Sequence, residues 1–256
     1  MNLFAGAGYL KDSLVASTNA VVFSYVLYLI GKHEYKVKAL ELQKLMRKWI
    51  FMTTITGFYT GSTESEVERQ FANLRDLKTD TEFIDYVNSV IKQHFIDDYF
   101  KVTLPSELNS SSANLPSWYG YVAALNVLGT PMLFSTTPVS KFFLLGASGT
   151  KNSIEKHHIF PKNYLANIGF KNDRERNQIA NFTYIDYTTN EDISDKAPSE
   201  YVEKYRQVLG YDGYALTCKQ NALPANFEKM NYLEFLKQRR MLMAQTVKQA
   251  YNKLCK

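Results

Sequence analysis

The chain has 256 residues, 45% of them hydrophobic, with 18 Tyr and 16 Phe, which is ample for a buried core and excludes a disordered protein. Its formal charge of +5 permits a polyanionic partner without demanding one. Two cysteines, Cys218 and Cys255, stand far apart in no zinc-like spacing, which argues against a disulfide scaffold and for a reduced, cytoplasmic protein.

In chain order, Asp12 or Ser13 is expected to cap a helix running to about Gly31. That helix holds the most apolar run, VVFSYVLYLI at 21–30, which is about half of what a bilayer crossing needs and has no basic leader or A-x-A site. A buried core helix is the expectation, with no membrane contact. Residues 36–58 form a second helix, with Leu40, Leu42, Leu45, Trp49, Ile50 and Met52 as its apolar positions, broken by Gly57 and Gly61. Ser62 opens STESEVERQF, where a hydroxyl followed by acids suits a helix N-terminus. Thr79 or Thr81 starts a fourth, with Phe83, Val87, Val90 and Ile91 on one face. The pattern then loosens into a connection over 96–116, and Pro116 starts a further helix, ending near Gly129.

From about Lys151 the character changes. SIEKHHIF and NFTYIDY are short, β-branched or aromatic, and separated by a polar stretch, so both read as strands. Helical signals return after Asn190, and a long helix with leucines and methionines on one side runs from Asn231 to the end.

Four residues of this region carry chemistry: His157, His158, Asn181 and Asn190. The first strand ends in two of the chain's four histidines, the second begins with Asn181, and the next helix starts at Asn190. A neutral imidazole can take a proton from water at cellular pH, and a hard divalent cation on few protein ligands keeps positions open for phosphate oxygens. His33 and His94 have no such neighbours, and without an H-E-x-x-H a zinc-protease reading is rejected.

The run KHHIFP, then IANFTYID, then Asn190 before EDIS, resembles the HNH or ββα-metal nuclease motif. It is most similar to the version in the C-terminal half of GmrSD-type, modification-dependent restriction proteins. The likeness covers residues 154–205, and LNVLGTPMLFS in the flank is also similar, less distinctively. It implies His158 as the general base, His157 and Asn190 as ligands of a divalent metal, Mg2+ or Mn2+, and Asn181 as a brace for the loop between the strands. His157 stands where Asp or Glu is commoner, and a neutral ligand gives less charge compensation, which favours a softer ion such as Mn2+. Lys162, Lys171, Arg174 and Arg176 flank the motif and Lys196 follows on its helix, all placed to reach phosphates. Over 229–256 seven basic residues, Lys229, Lys237, Arg239, Arg240, Lys248, Lys253 and Lys256, face one acid, Glu234. Such a stripe suits a salt-sensitive nucleic-acid contact or a plainly solvated helix face.

The expected fold is mainly α with a small ββα-metal insert: a helical scaffold at 1–150, the HNH motif at 151–206, and a helical tail at 207–256 packing on the scaffold. The resemblance implies a metal-dependent endonuclease acting on double-stranded DNA in defence against foreign or modified phage DNA. The alternatives are an RNA nuclease of the same type and a catalytically degenerate interaction module or subunit of a larger restriction complex. The family's ParB-like nucleotide-binding domain, with its Asp-Gly-Gln-Gln-Arg string, has no counterpart here, so a missing N-terminal half or separate subunit is the expected partner.

Overall fold

A computed structural model describes residues 2–61, 63–144 and 155–256. The chain is mainly helical, and the described residues include a small two-stranded antiparallel sheet. In order it runs α1 (Asn2–Gly6), α2 (Thr18–His33), α3 (Ala39–Ile55), α4 (Thr63–Arg75), α5 (Asp80–His94), α6 (Leu104–Glu107), α7 (Pro116–Leu128) and α8 (Ser140–Leu144). There follow β1 (Glu155–His158), α9 (Lys162–Asn167), α10 (Asp173–Arg176), β2 (Phe182–Ile185), α11 (Tyr187–Ile193), α12 (Pro198–Gln220) and α13 (Tyr232–Leu254). Among the described residues no helix is long and apolar enough to cross a membrane. Two compact units divide the chain, one comprising 1–100, 114–127 and 247–256, the other 101–113 and 128–246.

In the first unit, α2 buries Ala20, Ser24, Leu27 and Gly31, a spacing of three and four that makes one face. A Cβ on Gly31 would lie 2.8 Å from Leu42 and from Phe83, so the missing side chain lets α2 approach α3 and α5. Trp49, Met46, Leu42, Phe83 and Val87 fill the core there. Thr79 caps α5 with a full capping box, its hydroxyl accepting from the Glu82 amide while the Glu82 carboxylate accepts from the Thr79 amide. The first expected helix start is corrected: Asp12–Leu14 form only a 3-10 turn, extended backbone at Val15 and Ser17 follows, and α2 begins at Thr18. Ser62, the expected cap of α4, lies outside the described residues, as do Ser153 and Ile154 of the first expected strand. The connection at 96–116 is more ordered than its sequence pattern, holding a π-helical turn (Tyr99–Thr103) and then α6, with Tyr99, Phe100 and Leu104 buried.

In the second unit β1 and β2 pair with His157 opposite Thr183 and His158 opposite Phe182. The sheet is short because Pro161, which cannot donate to a ladder, turns β1 into α9. β2 is buried along its whole length. The long helix α12 kinks at Gly210, whose φ of 69° falls where glycine is favoured. Phe134 stacks on Tyr205 with centroids 4.1 Å apart, and Phe160 packs on Phe235 at 4.7 Å. Residues 232–246 of α13 belong to this unit.

Candidate active site

Successive side chains of a strand point to opposite faces, so β1 sends its two histidines in different directions. His157 faces α11, where the Asn190 side chain lies close enough to hydrogen-bond its ring. The His157 Nε2 is buried and has no hydrogen-bond partner among the described residues. His158 lies edge-on to Phe182 at 4.8 Å, with its Nε2 3.1 Å from the Asn177 Oδ1. An amide oxygen only accepts, so with this atom facing the ring Nε2 carries the proton and Nδ1 holds the lone pair.

Burial lowers the pKa of both rings to about 4, against the partial support of Asn190 and the Asp195 charge at His157 and of Asn177 at His158. The cations Lys162 and Lys156 lower His158 further. Both imidazoles are therefore neutral at physiological pH, the form that can ligate a metal or accept a proton.

Asn181 is completely buried. Its Oδ1 accepts from the Phe160 amide at 2.8 Å, and its Nδ2 donates to the Phe160 carbonyl at 2.9 Å and the Arg176 carbonyl at 3.3 Å. One amide side chain thus ties the exit of β1 to the approach to β2. Two placements differ from expectation. Asn181 closes a 3-10 turn (Ile179–Asn181) rather than opening β2, because its side chain is committed to the main chain across the loop. Asn190 sits inside α11, not at its start, because Asp186 takes the N-cap and accepts from the Thr189 amide at 2.8 Å.

The proposed phosphate contacts differ among themselves. Lys162, Lys171 and Arg174 are exposed, and only the first is felt at His158. Arg176 pairs with Asp173 at 2.6 Å, and Lys196, which follows the end of α11 at Ile193 rather than lying on the helix as expected, is held by the Asp192 carbonyl. Lys156, not anticipated, lies over the Phe182 ring at 4.4 Å on the His158 side of the sheet.

Three side chains from the helices after the sheet hold the main chain of the loop between its strands. Tyr201 on α12 donates to the Ile159 carbonyl at 2.7 Å, one residue past His158. Tyr232 on α13 donates to the Glu175 carbonyl at 2.9 Å, just before Asn177. Arg239, also on α13, is completely buried and donates from Nη1 to the Ala180 carbonyl at 2.8 Å, beside Asn181. The reading of Arg239 as part of a surface cationic stripe is therefore corrected. The spacing carried the signal: Tyr232, Phe235, Leu236, Arg239 and Met243 share the buried stripe of α13.

The site's fit to a cation can be judged from its donors. His157 offers a buried, neutral nitrogen without a protein partner, and Asn190 offers an amide oxygen beside it. Among the described residues no three His, Cys, Asp or Glu side chains cluster as a metal site. A cation here would rest on one imidazole and one amide, a neutral pair that suits a softer ion such as Mn2+ better than Mg2+ and leaves the other positions to water and phosphate oxygens.

No protein family model matches the chain, and no solved structure matches it. It is similar to an uncharacterized protein of Methanocaldococcus jannaschii, 28% identical over 166 residues, which is 64% of this chain. The matched region spans 25% of that relative's length.

Proposed function

We propose that the chain is a metal-dependent endonuclease of the HNH type that hydrolyses phosphodiester bonds of double-stranded DNA. The observation that carries the reading is the meeting of His157 and Asn190, 33 positions apart in sequence, with the Asn190 side chain within hydrogen-bond reach of a ring whose Nε2 is buried and has no hydrogen-bond partner among the described residues. A bound Mg2+ or Mn2+ would supply charge stabilisation to the scissile phosphate and the leaving oxygen. His157 and Asn190 would hold it. His158, neutral and steadied through Nε2 by Asn177, takes the proton of the attacking water on Nδ1. Asn181 fixes the main chain two residues beyond His158, and Lys156 and Lys162 add positive charge where the scissile phosphate would approach. The setting in defence against foreign or modified DNA, the partner half with a nucleotide-binding domain, and a cytoplasmic location belong to the same proposal and rest on the sequence resemblance.

Nicking of supercoiled plasmid, with Mg2+ or Mn2+ and with EDTA, tests it. Metal-dependent nicking by the native chain that His158→Ala lacks is the expected result. Equal nicking by both chains overturns the role of His158. Absence of nicking by the native chain, alone and with a ParB-like N-terminal half supplied as a separate protein, overturns the enzyme and leaves the interaction module.

A further inference from the structure

The first unit holds a cavity of about 350 Å³ lined by Gly6, Lys44, Arg47, Asn126, Lys253 and Lys256 among others. Four of these are cations, and among the described residues none of the four pairs with a carboxylate side chain. Lys44 donates to the Lys256 main-chain oxygen at 3.2 Å and Lys253 to the Val127 carbonyl at 2.8 Å, which leaves each ammonium two further donors. Arg47 is less satisfied still, since its Nε is buried with no partner among the described residues. Gly6 makes room for it: a Cβ there would lie 2.6 Å from the Arg47 Nε. The remaining polar group is Asn126, whose Nδ2 donates to the Gly8 carbonyl at 2.8 Å while its Oδ1 is buried without a partner.

A planar guanidinium and two ammoniums with spare donors match the oxygens of a tetrahedral anion. An orphaned acceptor beside them matches an anion that still carries a hydroxyl. A phosphate group, with a second pKa of about 6, keeps a hydroxyl in its monoanionic form, which is the minor form of a monoester at neutral pH and gains on mild acidification, whereas sulfate carries none. We propose that this cavity is a binding site for a terminal phosphate group, with Arg47 as the central donor and Asn126 accepting from the phosphate hydroxyl. The group could come from free phosphate or a small monoester, or from the 5′ end of a nucleic-acid strand. The site is independent of the nuclease proposal and stands if that fails.

The test is thermal melting of the full chain in inorganic phosphate, sulfate and chloride at matched ionic strength, for the native protein, Arg47→Met and Lys253→Gln. A saturable rise in Tm with phosphate, smaller with sulfate and lost in Arg47→Met, is expected, and Lys253→Gln should weaken phosphate binding by roughly tenfold, the equivalent of one charge-assisted contact. Should Arg47→Met not fold, the exposed Lys253 variant carries the comparison alone. A native chain that binds a 5′-phosphorylated oligonucleotide better than its hydroxyl-ended twin, with the preference gone in Lys253→Gln, assigns the strand end. No such preference alongside phosphate binding assigns the small anion. Phosphate acting no differently from chloride, equal shifts with sulfate, or shifts that survive both substitutions would overturn the proposal.

Discussion

Replacing Asn181 by alanine should unfasten the loop that carries His158. The side chain is completely buried and makes two well-formed hydrogen bonds to the Phe160 main chain, at 2.8 and 2.9 Å, with a longer third to the Arg176 carbonyl. Alanine leaves the Phe160 amide and carbonyl without partners in a dry place. Each unmet buried group costs about 1–3 kcal/mol, so two at the lower half of that range, with the small void, give a loss of about 3 kcal/mol. With a urea slope of about 2–3 kcal/mol per M, the transition of the second unit should move down by roughly 1 M. Circular dichroism in urea reads that shift, and hydrogen exchange at the Phe160 amide reads its local origin. Nicking should fall in parallel if His158 is the base. A midpoint lower by less than about 0.3 M, with Phe160 still protected, would refute the bracing argument, because water would then be replacing both bonds at little cost.

Tyr201→Phe removes only the hydroxyl that donates to the Ile159 carbonyl, so a stability loss of about 1 kcal/mol is expected, with kcat reduced more than KM if the bond positions His158; unchanged turnover in steady-state nicking assays would show that the loop holds without it. Asp186→Ala should cost about 1 kcal/mol by uncapping α11, which carries Asn190. Burial pushes the Asp186 carboxyl up, but hydrogen bonds from Thr189, Thr188 and Ser135 outweigh it and hold its pKa below the ordinary value. Because the folded value is the lower, that stabilisation is complete above the unfolded pKa of about 3.9 and fades as pH falls below it, so melting curves of native and variant chains should converge in acid. Gly120→Ala places a Cβ 2.2 Å from Ile55 in the first unit and should destabilise by about 1–3 kcal/mol, measured in urea, where a neutral result would mean that α7 and α3 can separate freely.

Much of the helical framework was legible because its signals are local. Thr79 with Glu82 three positions on, Pro116 at a first turn, and the spacing of Phe83, Val87, Val90 and Ile91 each act within a few residues. The paired histidines before Pro161 likewise marked the end of a strand. Helix starts were less secure where a capping residue served a turn instead, as at Asp12, or where the cap lay upstream of the residue singled out, as Asp186 does for Asn190.

The sequence by itself determined which residue types stand at the candidate site and that a polar, strand-bounded segment would interrupt a helical chain. Only the tertiary structure decided what each of them touches. Asn177 reads as one more polar residue in KNDRERN until the loop folds it against His158. Arg239 reads as one more base on a cationic helix until α13 buries it under the Ala180 carbonyl, 59 positions earlier in the chain. The physical reason is that a side chain's hydrogen-bond capacity is fixed by its chemistry, whereas its partner is fixed by which main-chain groups are left unpaired where distant segments meet. A loop of such groups between β1 and β2 is what drew Asn181, Tyr201, Tyr232 and Arg239 to one place.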